Sequence, residues 1–102
     1  MIPVIGVVTQ TPSLHHQAVD ISCIHGSEVR AMGKGYGSFS WSHTKGWTFT
    51  QGDIAMSHLV ERGQDGEYER GDVIGACGST GVYSTGPHVH LEGPPEILST
   101  FH

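Results

Sequence analysis

Basic residues are scarce in this chain: five Lys and Arg stand against ten Asp and Glu among 102 residues, a formal net charge of −5 with His neutral. That sign argues against nucleic acid as a partner, because phosphate binding rests on Lys and Arg. Cysteine is scarcer still. Cys23 and Cys77 are too few for the disulfide framework of a small secreted scaffold, and two reduced, buried thiols are expected, with a single bridge as the alternative. Long apolar runs are missing as well. The stretch Ile2 to Val8 is broken by Pro3 and Gly6 and has no basic residue ahead of it, so it reads as neither a signal peptide nor a membrane span. Helix formers are thin: four Ala and four Leu stand against nine Val, seven Ile and 15 Gly, a balance that favours strands and turns.

What is present fits one domain over residues 1–102, punctuated by Gly and Pro every several residues, with no internal repeat. The pattern predicts an all-β domain of short antiparallel strands near Pro3–Val8, Ala18–Ile24, Glu28–Met32, Ser38–His43, Gly46–Thr50, Asp53–Leu59, Asp72–Cys77 and His88–Glu92. Gln64-Asp65-Gly66 and Arg70-Gly71-Asp72 read as turns, and the Gly-rich stretches Gly33–Gly37 and Gly78–Gly81 as loops. Neither Gly cluster has the spacing of a phosphate loop, nor the Lys-Ser/Thr that would follow it.

Eight histidines dominate the chemistry. His88 and His90 lie two apart, which on a strand puts both imidazoles on one face. Taken alone, such a pair is as easily an exposed polar pair. His16 and Asp20, four apart, combine a neutral nitrogen with a hard carboxylate, a combination that suits Zn²⁺; the bland reading is a surface His beside a turn Asp. His58 stands alone in an apolar strand pattern, where a satisfied structural histidine is the ordinary reading. His15 competes with His16 for the metal role, but the four-residue spacing favours His16. Cys23 and His25 form a C-x-H pair that would need a second pair to hold metal.

These pieces occur in a telling order: His16-Gln17-Ala18-Val19-Asp20, then His58-Leu59, then Gly71-Asp72-Val73-Ile74-Gly75-Ala76-Cys77-Gly78-Ser79-Thr80-Gly81, and finally Ser84-Thr85-Gly86-Pro87-His88-Val89-His90-Leu91-Glu92. In that order, and with Gly26–Ala31 in the slot of the strand after the metal motif, the chain resembles the lysostaphin/LytM-type zinc endopeptidases of bacterial cell walls from about Leu14 to Glu92. The resemblance implies a lysostaphin/LytM-like (duplicated hybrid motif) β-sheet with a central groove, His16, Asp20 and His90 as Zn²⁺ ligands, and His58 and His88 as unligated catalytic histidines. Which of those two is the general base stays open. It further implies a peptidoglycan peptide as substrate, action at the bacterial cell wall, and a monomer. The lack of an export signal suits a phage enzyme or a domain excised from a longer protein.

Three departures from the family pattern stand out. The run from Gly46 to His58 is several residues longer than usual, Met56-Ser57 replaces an aromatic ahead of His-Leu, and Pro94-Pro95 follow soon after Glu92, where a closing strand is common. Glu92 is a candidate to hold the far nitrogen of His90, with a solvated strand end as its plain alternative. His43 reads as structural or groove-lining, and Trp41, Trp47, Phe39, Phe49 and Tyr36 as core or rim packing. The function so implied is hydrolysis of a peptide bond in peptidoglycan cross-bridges or stem peptides by a metal-activated water. The alternative is a non-catalytic LytM-like domain that binds a wall peptide or regulates a partner hydrolase.

Overall fold

The computed structural model describes residues 2–11, 18–81 and 86–101. Nine strands and one helical turn are formed among them: β1 (Gly6–Gln10), β2 (Ala18–Cys23), β3 (Glu28–Arg30), β4 (Gly35–Ser42), β5 (Gly46–Gln51), β6 (Ile54–Leu59), β7 (Gly66–Tyr68), β8 (Val73–Ala76), β9 (His88–Glu92) and α1 (Pro95–Leu98). Seven strands make one antiparallel sheet in the order β1-β2-β9-β6-β5-β4-β7, and β3 pairs with β8 in a second, two-stranded sheet.

Alternation along the strands separates a core face from a chemical face. Val19 and Ile21 of β2, Val89 and Leu91 of β9, Met56 of β6 and Phe49 of β5 are all fully buried on one side of the large sheet. Burying each such side chain contributes about 1.5–3 kcal/mol. Val29, Ile74 and Cys77 from the region of the small sheet pack into the same cluster, together with Leu98 and Phe101. Asp20, His88 and His90, one residue out of phase with the apolar set, are thereby placed on the opposite face.

Most strand expectations hold within a few residues, and the differences have steric causes. The first strand runs over Gly6–Gln10 rather than Pro3–Val8, with its register to β2 shifting between Val8 and Gln10. The Gly33–Gly37 stretch is not wholly loop: Gly35–Gly37 belong to β4 and pair with β7, itself built from part of the expected turn at Gln64–Gly66. A Cβ on Gly37 would sit 2.2 Å from the Phe49 ring, so glycine here serves close packing inside a strand. The Asp65 carboxylate accepts a hydrogen bond from the Phe39 N–H, satisfying that donor where β4 runs beyond β7. After Glu92 the chain forms α1 instead of a strand, with Pro95 at the first helical position, where its missing N–H costs nothing.

The cysteines correct the sequence reading. Cys23 and Cys77 are joined in a disulfide that links the end of β2 to the residue after β8, across 54 positions of sequence. Strand pairing in two different sheets brings the two thiols together, and sequence spacing alone carries no trace of that approach.

Candidate functional site

Register assembles the site. In the β2–β9 ladder Asp20 lies opposite His90 and Ser22 opposite His88, while on the other flank of β9 Ser57 of β6 lies opposite His90. The Asp20 Oδ1 and His90 Nδ1 atoms are 2.8 Å apart, both side chains about four-fifths buried. The next residue on β6 is His58. Regular alternation would turn it toward the core, but its φ of 66° lies in the left-handed region, alone among the described non-glycine residues. Trp47 pairs with Leu59 and Phe49 with Met56, so Ser57 and His58 together face the single residue Thr48: a β-bulge. The bulge re-aims His58, whose ring centroid lies 4.5 Å from that of His88 and 6.2 Å from that of His90.

Both unpaired histidines are oriented by backbone carbonyls. His58 Nδ1 is 2.6 Å from the Thr80 carbonyl and His88 Nδ1 is 2.8 Å from that of Gly86. A carbonyl only accepts, so each Nδ1 carries a proton, and in the neutral ring Nε2 is left as the acceptor. Burial pushes the pKa of His58 down, reinforced by the nearby rings of His88 and His90 and opposed by the Thr80 carbonyl and Asp20. His58 is therefore neutral at neutral pH. A cleft of about 240 Å³ is lined by Asp20, Thr44, Lys45, His58, His88 and His90. An adjoining cleft of about 290 Å³, lined by Thr9, Asp20, Ser22, Gly86, Pro87 and His88, extends the groove across β2.

Four of the five sequence-predicted site residues thus share one cleft. The fifth, His16, lies outside the described residues, as does its competitor His15. Among the described residues no group of three or more His, Cys, Asp or Glu is arranged to hold a metal ion. Asp20 and His90 nevertheless supply an oxygen and a nitrogen facing each other, a donor pair whose chemistry fits Zn²⁺.

Lys45 and Thr44 escaped sequence reasoning. They sit in the β4–β5 turn, and a turn's position over a distant strand leaves no local signal. Lys45 Nζ lies 2.8 Å from Glu92 Oε2, and that oxygen is 3.9 Å from His90 Nε2, so Glu92 is engaged on the cleft side rather than solvated at a strand end. The longer Gly46–His58 run forms the β5–β6 hairpin with its tip at Gly52-Asp53, and no residue of that tip lines the histidine cleft. His43 is exposed and His25 lies in an exposed turn beside the bridged Cys23, so neither joins the site. Trp41 and Trp47 stack edge to face at 5.4 Å, with Trp47 packed against the core and Trp41 exposed.

No family model and no curated protein matches the chain. Solved structures do. The catalytic domain of the antimicrobial peptidase lysostaphin from Staphylococcus simulans has a TM-score of 0.62 at 27% identity, over 84% of this chain and 74% of that one. A Pseudomonas aeruginosa protein named for the M23 peptidases has a TM-score of 0.72 at 26% identity, over 89% of this chain. This chain has the lysostaphin/LytM-type peptidase fold. The lysostaphin-type fold here spans 42% of the Pseudomonas protein, under half its length. The catalytic domain of the prophage-encoded M23 protein EnpA from Enterococcus faecalis shares the fold at 22% identity, with a TM-score of 0.62 over 86% of this chain and 76% of that one. The likeness to these peptidase structures is one of fold. None of this chain's described helices is long and apolar enough to cross a membrane.

Proposed function

We propose that residues 1–102 form one zinc-dependent endopeptidase domain that cuts peptide bonds in bacterial peptidoglycan cross-bridges or stem peptides, acting at the cell wall. The observation that carries this reading is the convergence of Asp20, His90, His58 and His88 in one cleft of a peptidase fold, with Asp20 Oδ1 and His90 Nδ1 meeting at 2.8 Å. His16, Asp20 and His90 would hold the ion. When bound, Zn²⁺ supplies an acidified water and polarises the scissile carbonyl.

The remaining work belongs to side chains. To ligate through Nδ1, His90 must carry its proton on Nε2, the nitrogen that faces Glu92. Lys45 offsets the charge of that carboxylate. In the neutral ring, His58 and His88 each present an Nε2 able to accept the proton of an attacking water, and once protonated able to donate a hydrogen bond to the developing oxyanion. Because burial keeps His58 neutral, its acceptor form persists below pH ~6.5, the ordinary histidine value.

Mass spectrometry of products from purified peptidoglycan, with and without chelator, tests activity, metal need and bond choice together. New peptide termini that vanish with chelator are expected. An intact digest alongside tight zinc-independent binding of wall peptides would favour the non-catalytic alternative. Purified protein is also expected to hold about one Zn²⁺ per chain, the count left by three protein ligands and one open position. His16→Ala, Asp20→Ala and His90→Ala should each lose most of it, and undiminished zinc in all three would reject the ligand set.

A further inference from the structure

The β-bulge that aims His58 is held by a residue from outside the two strands that form it. The segment Cys77–Gly81 follows β8 and runs along Leu59 and Val60: a Cβ on Gly78 would meet Val60 N at 2.8 Å and the His58 carbonyl at 2.9 Å. From this segment Thr80 reaches into the ladder between β5 and β6. Its hydroxyl donates to the Leu59 carbonyl at 2.6 Å and accepts from the Trp47 N–H at 3.2 Å, bridging the two residues that face each other beside the bulge. Its own carbonyl takes the His58 Nδ1–H at 2.6 Å.

Packing keeps this arrangement in place. A Cβ on Gly46, where φ is +67°, would fall 2.2 Å from Thr80 Oγ1, and one on Gly81 would fall 2.5 Å from Gly46 N. Two glycines therefore let the loop and the β4–β5 turn touch backbone to backbone. The same turn holds His58 from its other side, since the Lys45 carbonyl accepts the His58 N–H at 2.9 Å.

We infer that Thr80 is a positioning residue for His58: its hydroxyl completes the ladder at the bulge, and its carbonyl fixes the imidazole with the proton on Nδ1 and Nε2 turned to the cleft. Its consequence for turnover rests on the reading of His58 as a proton acceptor; the geometry of the ring does not. A ring free to flip would present a protonated nitrogen to the cleft in part of the population, which lowers turnover without weakening the groove that binds substrate.

The test pairs Thr80→Val, which keeps the branched shape and removes the hydroxyl, with Thr80→Ser, which keeps the hydroxyl. Long-range ¹H–¹⁵N spectra of metal-free protein should show wild-type His58 as the Nδ1–H form, with a slowly exchanging ring proton. In Thr80→Val that proton should exchange faster and kcat should fall by about tenfold or more with KM within about twofold, a loss inside the range general acid–base catalysis supplies. Thr80→Ser should restore both. A wild-type His58 in the Nε2–H form overturns the inference, and that reading needs no variant to fold. So does a folded Thr80→Val with unchanged ring-proton exchange and kcat. If wild-type protein hydrolyses no wall peptide, the proposed function fails while the ring spectra still decide the role of Thr80.

Discussion

His58 carries two demands that conflict in most side chains. It must adopt a left-handed backbone conformation, and it must present a neutral ring from a site only 4% exposed. Histidine and asparagine tolerate that backbone region better than alanine, for which it costs about 1–2 kcal/mol. His58→Asn is therefore the cleaner probe of catalysis: it should abolish hydrolysis while unfolding near the wild-type temperature, whereas His58→Ala should lose roughly 1 kcal/mol more, read from the two denaturant midpoints. Equal midpoints would remove the strain from the account. The ring has its own pH signature. Its folded pKa lies below 6.5, mainly through burial, so between that lowered value and 6.5 the unfolded chain binds a proton that the folded chain does not. Stability in that window rises with pH and is lost as acid is added. Melting curves of metal-free protein from about pH 7.5 to 5.5 should fall more steeply for wild type than for His58→Asn. Parallel curves would show that His58 titrates alike in both states.

Elements make the same point about what a sequence can and cannot show. That Asp20 joins the histidine face is set only by the β2–β9 pairing, whereas the alternation in His88–Glu92, and with it the face shared by His88 and His90, was plain, because period two is a local property of a strand. The bulge at His58 was not, since an extra residue in one strand is defined only against its partner. Lys45 and Thr80 were invisible for the same reason: each acts across more than ten positions of sequence, on Glu92 and on Leu59. The Gly-rich stretch before β4 misled because composition does not separate a loop glycine from one that makes room for a ring. Two substitutions in that stretch tell the kinds apart. Gly37→Ala drives a methyl to 2.2 Å from Phe49, which is boxed between Phe39 at 5.2 Å and Tyr68 at 5.3 Å, so the ring has little room to give. Overpacking of that kind costs about 1–3 kcal/mol. Gly33→Ala meets nothing within 4 Å and should be near neutral or slightly stabilising. Denaturant titration of the pair checks the contrast, and similar losses at both positions would place Gly33 in the packed set.

For the whole molecule, the question is what ties the two sheets together. The small β3–β8 sheet meets the large sheet through the shared core and through the Cys23–Cys77 bridge, placed where the site needs it. Cys77 opens the segment that carries Thr80 to His58, its neighbour Gly78 accepts the His88 N–H at 3.2 Å, and Cys23 N–H bonds the Pro87 carbonyl at 3.3 Å. One covalent link thus spans the supports of both His58 and His88. Closing a loop across 54 positions removes enough freedom from the unfolded chain to stabilise the fold by about 4 kcal/mol in the chain-entropy account. At roughly 4–8 °C per kcal/mol for a domain of this size, Cys23→Ala/Cys77→Ala should melt at least ~15 °C below the oxidised wild type. Reduced wild type should follow the double variant. Below the new melting temperature the two backbone networks that position His58 and His88 remain, so the variant should keep its Nδ1–H ring protons but exchange them faster. A double variant that melts with the oxidised wild type would mean that the core alone holds the sheets together, and that the bridge adds nothing the packing of Val29, Ile74 and Leu98 does not already provide.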